Sequence, residues 1–157
     1  VHGNIAEHGG DPNKIFVSGN SAGGHLVAML MATDWPAYGS LPKEALKRGV
    51  ALSGIYKLLP IQKYFINDTL NLSDAEVERN SPLNLSPATT APVIFAVGGI
   101  ETDEFKRHTR EITDNWEKKG GSCYFMGSPG KHHFSIVDDF VGPKSDICKA
   151  SLKMMGL

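Results

Sequence analysis

Ile15-Phe16-Val17-Ser18-Gly19-Asn20-Ser21-Ala22-Gly23-Gly24-His25-Leu26 is the stretch that decides the fold. A β-type apolar run enters a G-x-S-x-G pentapeptide, Gly19 to Gly23, and an apolar-rich segment leaves it. That order predicts strand, sharp turn, helix, the setting in which a serine forms a nucleophile elbow. The elbow strains the serine backbone, and side chains two before and two after it would collide. Gly19 and Gly23 are read as removing those collisions. Ser21 then stands exposed above a sheet, at the amino end of a helix.

Working outward, residues 2–9 read as the last turns of a helix ending at Gly9-Gly10. Asp11-Pro12-Asn13 is turn chemistry. Lys14 to Ser18 is a first strand and Ser21 to about Thr33 a helix. The helix carries Leu26, Val27, Met29, Leu30 and Met31 on several sides, which predicts burial in the core. Arg48 to Ser53 is a second strand. Its apolar run is continuous, as in a parallel strand covered on both faces. Residues 57–85 read as an irregular, lid-like insertion with short helices. Ser73 and Glu76 form a capping box there. Tyr56, Tyr64 and Phe65 suit either an aromatic or acyl group of a substrate or the core of the insertion, and core is preferred.

Pro92 to Val97 is a third strand, ending in Gly98-Gly99. Asp103 to Lys119 is the clearest surface helix. Phe105, His108, Ile112 and Trp116 share one face, with Thr102 as candidate cap. Cys123 to Met126 is a fourth strand, and Asp146 to Met155 a last helix. Strands alternating with helices predict an α/β fold, a parallel sheet of about four strands flanked by helices. One domain spans residues 1–157.

The bulk numbers fit that domain. The 157 residues are 41% hydrophobic and 21% charged, with a net charge of −1. With no basic run, nucleic acid and membrane surfaces are not expected partners. Cys123 and Cys148 make neither a disulfide framework nor a metal pair, and both are expected to be buried and inert. No metal or cofactor is expected. No signal peptide or spanning apolar run appears, so the expected setting is cytoplasmic. The chain begins abruptly at Val1, and a further segment upstream is expected.

A serine hydroxyl needs a base within hydrogen-bond reach, and the base needs a third group to orient it. After an elbow serine, the acid and then the histidine follow in chain order. The loop after the third strand, Gly98 to Phe105, offers Glu101 just past the strand tip. Asp103 is the alternative acid, although it falls in a first helical turn, where acids are common for electrostatic reasons. The loop after the fourth strand, Gly127 to Phe134, offers His132 and His133. His133 is preferred, because the ordered apolar segment from Phe134 can fix its ring. His2 and His8 precede the serine, while His25 and His108 are read as packing on helices. One oxyanion donor is the backbone N–H of Ala22. The other normally comes from a loop after an early strand, and only twenty residues precede Ser21.

These residues resemble the α/β-hydrolase superfamily, and within it the arylformamidase (kynurenine formamidase)-like esterases. The resemblance runs through Asn4-Ile5-Ala6-Glu7 to Asn13, then Gly19-Asn20-Ser21-Ala22-Gly23-Gly24-His25-Leu26 and Leu52-Ser53-Gly54-Ile55-Tyr56. It continues through Arg79-Asn80-Ser81-Pro82, Glu101-Thr102-Asp103-Glu104-Phe105 and His133-Phe134. It implies a Ser21–Glu101–His133 triad, an acyl-enzyme, and a small ester or N-formyl amide as substrate. Asn20 stands where the family usually has His. The resemblance also implies that this chain corresponds to the C-terminal half of such an enzyme. The His-Gly-Gly oxyanion loop would then lie in a missing N-terminal segment. The exposed first strand implies self-association or pairing with that segment. A non-catalytic remnant or interaction module is the alternative function.

Overall fold

The computed structural model describes all 157 residues and places four parallel strands in one sheet, in the order β1-β2-β3-β4. These are β1 (Phe16–Asn20), β2 (Arg48–Leu52), β3 (Val93–Gly98) and β4 (Cys123–Ser128). Their carboxyl ends are in register, with Asn20 opposite Leu52, Leu52 opposite Ala96, and Gly98 opposite Ser128. The candidate site residues Ser21 and Glu101 leave the sheet at that edge.

Two helical layers cover the sheet, and the pleat sorts the side chains between them. Ala51, Val93 and Phe95 face helices α1 (Ala22–Ala32) and α6 (Asp103–Lys118). There they meet Val27, Met31, Ile112 and Trp116. Val50, Leu52, Ile94 and Ala96 point the other way, against Ile136 of α7 (Ile136–Val141) and Ile147 of α8 (Asp146–Met155). Phe95 anchors the larger cluster, with edge-on contacts to Trp116 at 5.6 Å and Tyr56 at 5.3 Å. The buried Trp116 indole N–H donates to the Pro82 carbonyl at 3.1 Å, which ties α6 to the insertion.

Every residue of β3 is buried, whereas none of β1 is fully buried. The position of β1 at the sheet edge explains a departure from expectation. Helix α1 buries only Gly24, Val27, Ala28 and Met31, and Leu26 is exposed, because beyond the edge strand there is nothing for its outer side to pack against.

The insertion contains α3 (Leu59–Gln62), α4 (Asn67–Leu70) and α5 (Asp74–Arg79). The capping box at Ser73 and Glu76 forms as expected. Tyr56 is fully buried, but Tyr64 and Phe65 are exposed and stack on each other at 4.5 Å. The short helices around them form no layer that could enclose two aromatic rings.

Three smaller corrections concern helix ends and a thiol. The proline-bearing turn α2 (Trp35–Gly39), capped by Asp34, lies in a segment without a clear period. Thr102 precedes α6 without a side-chain cap bond. Cys148 is only half-buried, while Cys123 is buried and burial pushes its thiol up to about 12. No helix is long and apolar enough to cross a membrane.

Candidate active site

Ser21 is held as the pentapeptide predicts. Its backbone is left-handed in φ, at 58° with ψ −115°, and it is the cap residue of α1. Its N–H donates to the Leu52 carbonyl at 2.9 Å, which extends the β1–β2 ladder by one step. Its hydroxyl makes no capping bond to the helix and is therefore not consumed by it. The steric account holds for one glycine of the pair. A Cβ on Gly19 would meet the Gly23 backbone at 2.5 Å, while a Cβ on Gly23 would meet nothing within 4 Å. The second tight position is Gly24, where a Cβ would reach the Gly54 backbone and the Leu52 carbonyl at 2.8 Å.

Glu101 lies in the turn that leaves β3 and is buried. Its Oε1 accepts the Gly98 N–H at 2.7 Å and the Ser53 hydroxyl at 2.5 Å. Its Oε2 faces His133 Nδ1 at 2.9 Å. A carboxylate only accepts, so Nδ1 carries the proton in this contact and Nε2 is the ring nitrogen turned away from Glu101. The loop bearing His133 is laced to the turn bearing Glu101. Gly99 N–H donates to the Ser128 carbonyl at 2.7 Å, and Ile100 N–H to the Lys131 carbonyl at 3.1 Å.

The His133 ring packs between Phe105, at 4.6 Å, and Phe134, at 5.3 Å. Phe105 also walls a cleft of about 130 Å³, with Ile55, Ile61, Thr102 and His108. A larger cleft of about 560 Å³, lined by Arg48, Ile94, Met126 and Met154, opens beside α8 and contains none of the candidate residues. Burial first, and then the charge of Glu101, push the Tyr56 phenol up, so it stays protonated.

Elbow and histidine loop touch through Asn20, whose Nδ2 reaches the His133 carbonyl at 3.4 Å. The hydrogen bonds of His133 thus run to Glu101 and Asn20, not to the Ser21 hydroxyl. Nucleophile–base contacts in unliganded enzymes are often loose and tighten around the substrate.

The other candidates fall elsewhere. Asp103 is fully exposed and pairs with Lys106 at 3.0 Å. His132 is a structural cap, its Nδ1 accepting the N–H groups of Phe134 and Ser135 at 3.2 and 3.3 Å. His25 Nε2 lies 2.8 Å from the Asn80 carbonyl, linking the elbow helix to the insertion. His8-Gly9-Gly10 has the letters of an oxyanion loop. It closes a short 3-10 helix leading into the amino end of β1, whereas Ser21 leaves the carboxyl end. No group of three or more His, Cys, Asp or Glu side chains is placed to hold a metal ion.

The sequence profile of the carboxylesterase family matches residues 1–63. Kynurenine formamidases of Salmo salar and Danio rerio are 31% and 33% identical to the chain over 148 residues, 90% of this chain and 50% of each relative. The chain has the α/β-hydrolase fold and is similar in sequence to these arylformamidases. Solved structures agree in fold. A candidate thioesterase of Silicibacter sp. TM1040 superposes with a TM-score of 0.76 at 24% identity, over 93% of this chain and 53% of that one. Thermogutta terrifontis esterase 2, solved with a tabun adduct, gives 0.64 at 22% identity, over 99% and 56%. The chain spans about half the length of the curated relatives it matches.

Proposed function

We propose that the chain carries the catalytic residues of a serine hydrolase for small carboxylic esters or N-formyl amides. Ser21 Oγ attacks the carbonyl carbon while His133 Nε2 takes its proton. The carbonyl oxygen becomes an oxyanion facing the Ala22 N–H. Collapse breaks the C–O or C–N bond, and the leaving group departs with the proton from His133. Water, deprotonated by the same imidazole, then cleaves the acyl- or formyl-serine and frees Ser21. Glu101 keeps the imidazole in the tautomer this needs and stabilises the imidazolium.

The observation that carries the reading is the buried Glu101 carboxylate 2.9 Å from His133 Nδ1, at the sheet edge from which Ser21 also emerges. The kynurenine formamidase relatives support a formyl amide among the substrates. The volume of the cleft beside Phe105 suits a small substituent.

One observation favours a second reading, a catalytically impaired form or interaction module. Ala22 is the one oxyanion donor the elbow provides, and β1 is an edge strand. We infer that this edge takes a further strand, from a second copy or from an N-terminal segment. Hydrolysis of nitrophenyl acetate by the chain and by Ser21→Ala separates the readings. The catalytic one predicts loss in the variant, and equal rates overturn it.

A further inference from the structure

Ser53, the residue after β2, combines three features. Its backbone is left-handed, with φ 47°. It is completely buried. Its hydroxyl donates to Glu101 Oε1 at 2.5 Å. The left-handed region favours glycine, and a side chain there is strained. Glycine at position 53 would relieve that strain and remove a buried polar group. What serine adds is the hydroxyl, and the hydroxyl goes to the carboxylate oxygen that does not face His133.

The terminal torsion of a glutamate is soft. With only the Gly98 N–H on Oε1, the carboxylate could pivot about that single bond. A second donor, approaching from β2, fixes its plane and leaves Oε2 directed at His133 Nδ1. Ser53 is itself anchored, since its N–H donates to the Ala96 carbonyl at 2.7 Å and continues the β2–β3 ladder. Two adjacent strands therefore grip one carboxylate. We propose that Ser53 is a positioning residue that locks Glu101 in the orientation His133 requires. This rests on the Ser21–Glu101–His133 reading given above.

The test uses the whole chain with Ser53→Gly, Ser53→Ala and Ser21→Ala, and reads nitrophenyl acetate kinetics, melting temperature and the proton NMR signal of His133 Nδ1–H. Ser53→Gly is expected to melt within a few degrees of the wild type, because relief of strain offsets the lost hydrogen bond. Its kcat is expected to fall roughly 10- to 100-fold with KM unchanged, the range for removing a hydrogen bond that orients a working group. The Nδ1–H signal is expected to move upfield or broaden into exchange. Ser53→Ala should show the same kinetic and spectroscopic change with the backbone strain kept.

Wild-type kcat together with an unmoved signal in either variant overturns the proposal. So does a loss of activity that merely follows a lowered melting temperature. If Ser21→Ala keeps the wild-type rate, the triad reading fails instead. The His133 signal then still reports whether Ser53 holds the pair, as it does if turnover is too slow to follow.

Discussion

The two sides of the candidate site are built differently. The acid–base side joins the ends of β3, an interior strand, and β4, the opposite edge strand, both packed against α6. Glu101 has a partner on both oxygens, and its turn is stitched to the His133 loop by two backbone hydrogen bonds. The nucleophile side sits at the end of β1, an edge strand with no fully buried residue. Its serine keeps a free hydroxyl and its helix buries one side only. The contrast teaches that the orienting machinery is self-contained within this chain. The candidate nucleophile instead borders the open edge of β1.

The largest expected effect breaks the self-contained side. Glu101→Gln removes the charge that fixes the imidazole, and hydrolysis should fall on the order of 10³–10⁴-fold. Asp103→Asn, whose exposed carboxylate pairs with Lys106 at 3.0 Å and not with His133, should leave steady-state rates within about twofold. Equal losses in the two variants would mean that the acid has been misassigned.

On the nucleophile side, the two elbow glycines should separate. Gly19→Ala forces a Cβ into the Gly23 backbone and should cost about 1–3 kcal/mol in denaturant unfolding, with loss of activity. Gly23→Ala meets nothing and sits in a helix, so it should be neutral or stabilising by up to about 1 kcal/mol. Similar losses for both would show that the elbow is packed more symmetrically than described.

The edge itself gives a third expectation. Light scattering should find self-association, or association with an added N-terminal segment that also raises the rate. A strictly monomeric chain, indifferent to such a segment, contradicts the role given to β1.

The smallest effect concerns pH and lies beside the acid–base side. Burial, and then Arg107, push the buried His108 imidazole below its ordinary range; Lys57 adds to this, and Glu104 and Glu111 oppose it. A depressed value in the folded state means that the unfolded chain binds the proton more readily. The contribution to stability is therefore present above about pH 6.5 and is lost as pH falls below it. His108→Gln should flatten that part of the melting-temperature profile, measured with all else fixed.

Much of this was legible in the sequence because local chemistry and global fold agreed. The continuous apolar run at Val50–Leu52 predicts a parallel strand covered on both faces and the run to Val97 a further strand; both are buried strands of the parallel sheet. The face of α6 was visible in the period of His108, Ile112 and Trp116. Glu101 was favoured over Asp103 by its place before the helix, and the structure puts Glu101 inside and Asp103 in solvent.

What escaped notice depended on contacts distant in sequence. No local pattern distinguishes Ser53 from any serine after a strand. Its role follows from a backbone angle and from a residue forty-eight positions away. Gly24 matters because α1 crosses the end of β2, which the pentapeptide does not encode. The period of α6 puts Phe105 on the face of His108, Ile112 and Trp116 but does not give its contact with the His133 ring, which arises because two loops converge. Tyr64 and Phe65 looked like core by composition alone, and composition does not supply the layer that would bury them.

The central claim is that Ser21 is a nucleophile activated by the Glu101–His133 pair. Labelling the chain with a fluorophosphonate and locating the adduct by peptide mass spectrometry tests it most directly. The account predicts one adduct, on the peptide containing Ser21, formed much more slowly in His133→Ala and in Glu101→Gln. No adduct on Ser21, or labelling at the same rate in all three proteins, would contradict it.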